Sequence, residues 1–207
     1  MPQTNSYLIG WPGGTGDSVF EVGADEGDLA ELERVLGHSE KLISGVLRNS
    51  LNRGGSRMRT VSTKIVSKEV GLQSKIVRLK MRLRRATARN LDAKLYLAGR
   101  GFGAIRFGAQ QNDVGVVIRM KRRQTLGHAF IATMPSGHTG VFRRSGRKRL
   151  PIDEQYVEGP GAVVRRVAKT GYVLDEGAAA FRKRIPHELD RVLKRHAARG
   201  EALVGAR

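Results

Sequence analysis

Apolar positions in the first third of the chain recur at the spacing of an amphipathic helix. Leu29, Leu32, Leu36, Ile43, Val46, Leu47 and Leu51 form one stripe, which predicts a helix over residues 26–51 that buries a single face. Asp25 and Asp28 stand near its start and Arg48 and Arg53 near its end, as the helix macrodipole favours. Gly54-Gly55 is the expected stop. Met58, Val61, Ile65 and Val70 predict a second helix over 56–70, ended by Gly71. A short third helix, about 73–80, carries Ile76 and Leu79.

The period then drops from 3.6 to 2. Leu91, Ala93, Leu95 and Leu97 alternate with Asp92, Lys94 and Tyr96, and Val114, Val116, Ile118 and Met120 alternate with Gly115, Val117 and Arg119. Both predict strands with one buried face. Residues 104–107, 129–134 and 139–144 are further expected strands. The pattern over 151–176 is ambiguous, with Gly159-Pro160-Gly161 marking a turn. A last helix, 177–198, places Phe181, Ile185, Leu189, Val192, Leu193 and His196 on one face. Pro186 inside it predicts a kink or a fresh helix start. Residues 1–24 read as irregular, with Trp11-Pro12-Gly13-Gly14-Thr15-Gly16 as a turn-rich stretch. The order helices, strands, helix is the α+β pattern: N-terminal helices, a mostly antiparallel sheet, and a C-terminal helix packed on it. It divides the chain into an extended arm (1–25), an α+β body (26–176) and a C-terminal helix and tail (177–207).

Charge changes the picture most. The 207 residues carry 38 Lys and Arg against 19 Asp and Glu, a net charge of +19. Residues 1–40 are net −7, residues 41–150 net +23, and residues 151–207 net +3. A middle this basic needs counter-ions or an acidic partner: nucleic acid, an acidic protein surface, or the acidic arm of a neighbouring subunit. Three runs concentrate the charge. Arg78, Lys80, Arg82, Arg84 and Arg85 form the first, and the alternate spacing from Arg78 to Arg84 would put four of them on one strand face. Arg119, Lys121, Arg122 and Arg123 form the second, and Arg143-Arg144-Ser145-Gly146-Arg147-Lys148-Arg149 the third, at a loop tip. Such side chains suit phosphate oxygens or carboxylates. Sequence-reading modules add a groove-binding helix or stacking aromatics. Here aromatics are 5% of the chain and in the three basic runs only Phe142 lies beside a base, Arg143, so non-specific phosphate contact and docking on an acidic protein are the two open readings.

Catalytic chemistry finds little support. The absence of cysteine excludes a disulfide framework, a cysteine-ligated zinc and a thiol nucleophile. His38, His128, His138, His187 and His196 form no metal-ligand pair. His128 and His138 flank a tight turn, Met134-Pro135-Ser136-Gly137, and Ser136 with His138 could suggest a nucleophile and base, but neighbours two apart rarely adopt that geometry without an oriented third group. The glycines near residues 13 and 101 lack the phosphate-loop lysine and the dinucleotide fingerprint. The early acids lack a calcium-loop pattern. No enzyme, cofactor or metal is expected. No apolar run reaches the ~18–20 residues of a membrane span, and residues 1–10 lack signal-peptide character, so a soluble, non-secreted protein with no membrane partner is expected.

Ala129-Phe130-Ile131-Ala132-Thr133-Met134-Pro135-Ser136-Gly137-His138-Thr139-Gly140-Val141-Phe142-Arg143-Arg144 resembles the hallmark segment of the minor tail protein Z family of tailed bacteriophages and prophages. Leu150-Pro151-Ile152, Glu154 and Tyr156 continue the similarity. Ile105-Arg106-Phe107-Gly108-Ala109 and residues 47–59 precede it, and the whole spans about 45–157. The resemblance implies a structural virion protein, without enzymatic activity, that acts in tail completion and head–tail joining. It implies a ring, six copies by family analogy, between a connector or adaptor and a tail terminator. Genomic DNA in the lumen is a further expected contact, and the host cytoplasm is the place of assembly. Residues 26–176 would be the tail-completion domain. The family follows the tyrosine with Gly-Pro-Ser, whereas Val157-Glu158-Gly159-Pro160-Gly161 follows Tyr156 here, which leaves the path of 157–176 open. The expected protein or DNA contacts are His138, Phe142, Arg143, Arg144, Arg147, Lys148 and Arg149 on a basic hairpin, with Arg82, Arg84, Arg85, Arg122 and Arg123. The alternative is a non-specific nucleic-acid-binding protein using the same surface; a nuclease is a third reading that lacks paired carboxylates in the strand-rich half.

Overall fold

One long helix organises the molecule. In the computed structural model, which describes residues 8–10, 18–167 and 171–199, the first apolar stripe is split into α1 (Glu26–Leu36) and α2 (Glu40–Val70). The expected stop at Gly54-Gly55 is wrong: the break falls at Gly37, whose φ of 62° is open to glycine. The 31 residues of α2 run about 46 Å without interruption. Gly54 and Gly55 are close-approach positions, not breakers. A Cβ on Gly54 would lie 2.8 Å from the Gly177 carbonyl oxygen and 3.2 Å from Phe181 Cβ. One on Gly55 would lie 2.9 Å from Leu83 Cδ1 and 3.1 Å from Ala93 Cβ. Each glycine costs the helix about 1 kcal/mol in propensity, and the pair lets neighbours approach both sides of α2. Asp25 and Asp28 cap α1 reciprocally, each carboxylate accepting the other's backbone N–H at 2.8 and 3.2 Å. Burial, reinforced by the Asp25 charge, raises Asp28 above the usual carboxylate range. Gly71 ends α2 as expected, its N–H reaching Ser67 O at 3.0 Å.

On one side of α2 lies a four-stranded antiparallel sheet of order β1-β2-β4-β3, from β1 (Leu8–Gly10), β2 (Ser18–Gly23), β3 (Met81–Arg84) and β4 (Asp92–Leu97). Phe20, Val22, Met81, Ala93, Leu95 and Leu97 are its buried residues towards the helices. The reading of residues 1–24 as irregular is therefore corrected at 8–10 and 18–23: β1 is an edge strand and β2 an interior one, and Phe20 and Val22 supply the period-2 signal of β2 beneath a glycine-rich approach. The turn-rich 11–16 stretch lies outside the described residues, as does the tail from 200.

On the other side of α2 runs α5 (Gly171–Ala198), which also touches β2. It starts six residues before the expected 177 and continues through Pro186 with no fresh start. A Cβ on its Gly177 would lie 2.5 Å from Met58 Cγ and 3.2 Å from Val22 Cγ2, so this glycine is the junction of both helices and the sheet. Between α2 and the strands sit α3 (Ser74–Arg78) and α4 (Pro160–Val167). The latter resolves part of the ambiguous 157–176 path, with Pro160 at a helix start.

The strand-rich half holds three smaller antiparallel sheets among the described residues: β6 (Gln110–Asn112), β7 (Gly115–Arg119) and β8 (Arg123–Gly127); β9 (Ala129–Thr133), β10 (Thr139–Arg144) and β11 (Ile152–Glu154); and β5 (Phe102–Gly103) with β12 (Tyr156–Val157). The expected strand at 104–107 is a single 3₁₀ turn. Ala104 and Phe107 are both buried, the i, i+3 spacing of such a turn and not the i, i+2 of a strand. The core is continuous from the helices through Phe102, Phe107, Val116, Ile118 and Val141.

Candidate functional site

The hairpin of β9 and β10 pairs Thr133 with Thr139 and Phe130 with Phe142, and β11 sets Glu154 opposite Phe142. Its turn is closed by Met134 N–H to His138 O and Gly137 N–H to Met134 O, both 2.8 Å. Phe142 is only 6% exposed. Its ring meets Phe130 at 6.3 Å and His138 edge-on at 6.4 Å, so within one chain it supports the hairpin from inside. Arg143 and Arg144 are exposed, and the Arg144 guanidinium lies 5.5 Å from the Phe130 ring centre. Arg147, Lys148 and Arg149 are exposed on the following loop. The Ser145 hydroxyl on Asp153 and Ser145 N–H to Pro151 O at 3.2 Å tie that loop's base.

The signature residues far apart in sequence converge behind this hairpin. His138 Nε2 lies 3.1 Å from Glu154 Oε1. The Tyr156 hydroxyl donates to Glu154 Oε2. Arg100 donates to the Tyr156 oxygen at 2.6 Å and covers the ring at 5.0 Å. The bond to Glu154, followed by burial, raises the Tyr156 phenol above its ordinary range. Gly140 leaves the room this requires: a Cβ there would lie 3.0 Å from the Phe142 ring and 3.2 Å from Glu154 Oε1. His138 is thus engaged by a carboxylate, and no hydrogen bond joins it to Ser136. The arrangement braces a hairpin; it does not assemble a nucleophile and base.

The first basic run is divided. Arg78 belongs to α3, and Lys80 sits half-buried at the helix–strand junction, so four bases do not share a strand face. Arg82 and Arg84 do, exposed opposite Tyr96 and Lys94, with Arg85 exposed just beyond. Lys94 is held by Asp92 and Glu21, each at 3.0 Å, which raise its pKa. Leu79, Lys80, Arg82, Arg84, Tyr96 and Ala98 border an open groove of about 570 Å³. In the second run, Arg119 faces Arg123 across the strands and Arg122 occupies the turn. Lys121 meets Glu69 at 3.4 Å and, by that bond first, lowers its pKa.

One charged surface escaped the sequence reading. Arg53 and Arg57 of α2 and Lys183, Arg184 and His187 of α5 line a groove of about 460 Å³, with Glu176 among them. Lys183 and His187 have the four-residue spacing of one helix face, but nothing local indicates that residues 130 positions upstream complete it. Across the other flank of α5, Asp25, Asp28 and Glu31 border a second groove with Arg182, Ile185 and Pro186. Arg182 reaches Asp25 at 3.5 Å. Glu26, Glu31 and Glu33 are exposed on α1.

Among the described residues no group of three His, Cys, Asp or Glu could hold a metal ion, and no helix is long and apolar enough to cross a membrane. No curated protein and no solved structure matches the chain. The family model described as prophage minor tail protein Z (GPZ) matches residues 30–199, a span that takes in the hairpin, its bracing network and both helices of the α2–α5 groove. The chain therefore belongs to the prophage minor tail protein Z family, the structural proteins of phage tails.

Proposed function

We propose that this protein is a non-enzymatic tail-completion component that closes into a ring at the head–tail junction of the virion. The observation that carries this reading, beside the family, is the placement of opposite charge on the two flanks of α5. Glu26, Glu31 and Glu33 are exposed on α1 at one flank; Arg53, Lys183 and His187 line the groove at the other. Ring subunits meet head to tail, through two different surfaces that must fit each other. An acidic helix on one copy and a basic groove on the next supply that fit and set register. Six copies follow by family analogy. The braced hairpin carries Arg143, Arg144, Arg147, Lys148 and Arg149 to the neighbouring connector, adaptor or tail terminator. Assembly takes place in the host cytoplasm.

Native mass measurement of the purified full chain tests the ring. The wild type should give one closed multiple. Glu31→Lys with Glu33→Lys should abolish it, as should Arg53→Glu with Lys183→Glu, and an equimolar mixture of the two variants should restore mixed assemblies. A chain that stays monomeric at high concentration and is missing from particles overturns the reading. The net charge of +19 favours a second reading, a nucleic-acid-binding protein with no ring role, and the same mass measurement separates the two.

A further inference from the structure

We infer that the surface centred on Lys80, Arg82, Arg100 and Arg106 is a phosphate-backbone site that takes duplex DNA. Its cations lack carboxylate partners among the described residues. No ion pair joins any of the four to a carboxylate among the described residues. Arg100 meets a phenol instead, the Tyr156 oxygen at 2.6 Å. Lys80 is half-buried, and burial followed by the charges of Arg100 and Arg106 pushes its ammonium below the usual lysine range. Like charges gathered where water is partly excluded are unfavourable until an anion arrives.

The anion has to come from outside the protein. Every copy brings +19, so adding copies adds the same imbalance. The carboxylates of the neighbouring strands and helices are already engaged: Glu21 and Asp92 on Lys94, Asp25 on Arg182, Glu69 and Glu158 on Arg166, Glu176 on Arg57. The geometry suits a linear polyanion. The strand rise sets Arg82 and Arg84 about 6.8 Å apart along β3, beside the open groove of about 570 Å³. The aromatics here are already matched to the bases, Tyr96 half-buried opposite Arg82 and the Tyr156 ring covered by Arg100, so the guanidinium groups match backbone contact without sequence readout. The inference rests on the proposed function only for how DNA reaches the protein; the contact itself is a property of the chain.

The test is salt-dependent binding of a random-sequence DNA duplex by the full chain. Each phosphate contact contributes about −0.9 to the slope of log affinity against log salt. The variant Lys80→Gln/Arg82→Gln/Arg100→Gln/Arg106→Gln should therefore lose about three to four from the wild-type slope. Arg143→Gln/Arg147→Gln/Lys148→Gln/Arg149→Gln removes equal charge at the hairpin tip and should lose less than about one. If the fourfold variant melts early, Arg82→Gln/Arg106→Gln, at two exposed positions, should lose about half as much. Equal losses in both fourfold variants, a larger loss at the tip, or no duplex binding by the wild type overturns the inference. So does a cluster variant that blocks particle assembly with an unchanged slope, which would assign the surface to an acidic protein. Mass measured on the same samples keeps the two proposals apart: an intact ring with an unchanged slope removes the DNA site alone, and a localised slope loss in a monomer removes the ring alone.

Discussion

Arginine is used in opposite ways along the α2–α5 seam and at the outer edge of β3. In the seam three exposed guanidiniums have a carboxylate close by, Arg57 with Glu176 at 2.6 Å and Arg184 and Arg191 with Glu188 at 2.7 and 2.6 Å, while Arg53 in the groove has no ion pair among the described residues. At the edge, Arg82, Lys80 and Arg106 have none among the described residues, and Glu21 and Asp92 on the adjoining strands hold Lys94 instead. The difference teaches where a chain with half as many acids as bases places them. They stand along two long helices that must be kept in one register and are left out at the surface where the proposed DNA contact would supply the charge. Exposed pairs contribute little singly, so the seam's stability has to come mainly from packing, with charge selecting the alignment.

The sharpest way to break that contrast is to spoil the packing. Gly54→Val forces a side chain where a Cβ alone would lie 2.8 Å from the Gly177 carbonyl oxygen. Backbone cannot give way as a flexible side chain can, so the variant should lose roughly 3 kcal/mol, read as a lower denaturation midpoint. Gly45, on the same helix, has nothing within 4 Å of its Cβ position, so Gly45→Ala should raise stability by about 0.5–1 kcal/mol. Shifts of the same sign in both variants would show that Gly54 is not the point of contact.

The next test is the seam's buried carboxylate. Glu188 is 3% exposed and is bonded by Asn49 at 3.0 Å and Arg184 at 2.9 Å. Burial raises its pKa, but Asn49, Arg184 and Arg191 outweigh burial and hold it below the ordinary range. A depressed carboxylate contributes stability that is complete above its unfolded pKa and is lost as pH falls through its folded pKa. Glu188→Gln should cost about 1–2 kcal/mol at neutral pH. The deficit should shrink as the wild type is acidified below the usual glutamate range. A deficit that does not change with pH would assign Glu188 a role of shape and not of charge.

The same contrast explains what was legible in the sequence. The seam's apolar stripe, the Gly71 stop and the alternation of β4 are local, and each appears where its period places it. Gly54-Gly55 misled because a helix-breaking pair and a helix-crossing pair look alike until residue 177 is known to lie against them. Residues 18–23 were hidden because two inward side chains beside a glycine-rich stretch make a weak strand signal. On the candidate surfaces, the exposure of Arg143, Arg144, Arg147, Lys148 and Arg149 follows from a turn-bounded hairpin. Phe142, expected as a contact, is buried instead, and alternation could not show this because Gly140, Val141 and Phe142 are buried in succession. That Arg100 and Arg106 join Lys80 does not follow from any spacing, because the strands and the 3₁₀ turn in this stretch fold back through non-local pairs such as Tyr156 with Gly103.

The smallest effect belongs to the strand-rich half, where the bracing network is partly open to water. Tyr156 is 41% exposed, so solvent competes for its hydroxyl, and Tyr156→Phe should cost less than about 1 kcal/mol in global stability. Its informative readout is local. The phenol donates to Glu154 and accepts from Arg100, and the donation raises its pKa. A raised phenol contributes stability that is complete below the unfolded tyrosine pKa and disappears as pH rises through the folded value. Difference titration of wild type against Tyr156→Phe should therefore find one tyrosine ionising late, and Glu154→Gln should bring it back towards the usual range. Amide exchange in β10 and β11 should quicken in Glu154→Gln while the α2–α5 seam keeps its protection, because the network ties the hairpin to Arg100 and not to the helices. Faster exchange spread evenly over seam and hairpin would mean that the two regions are one cooperative unit, and that the unpaired bases on the strands cannot be treated apart from the paired ones on the helices.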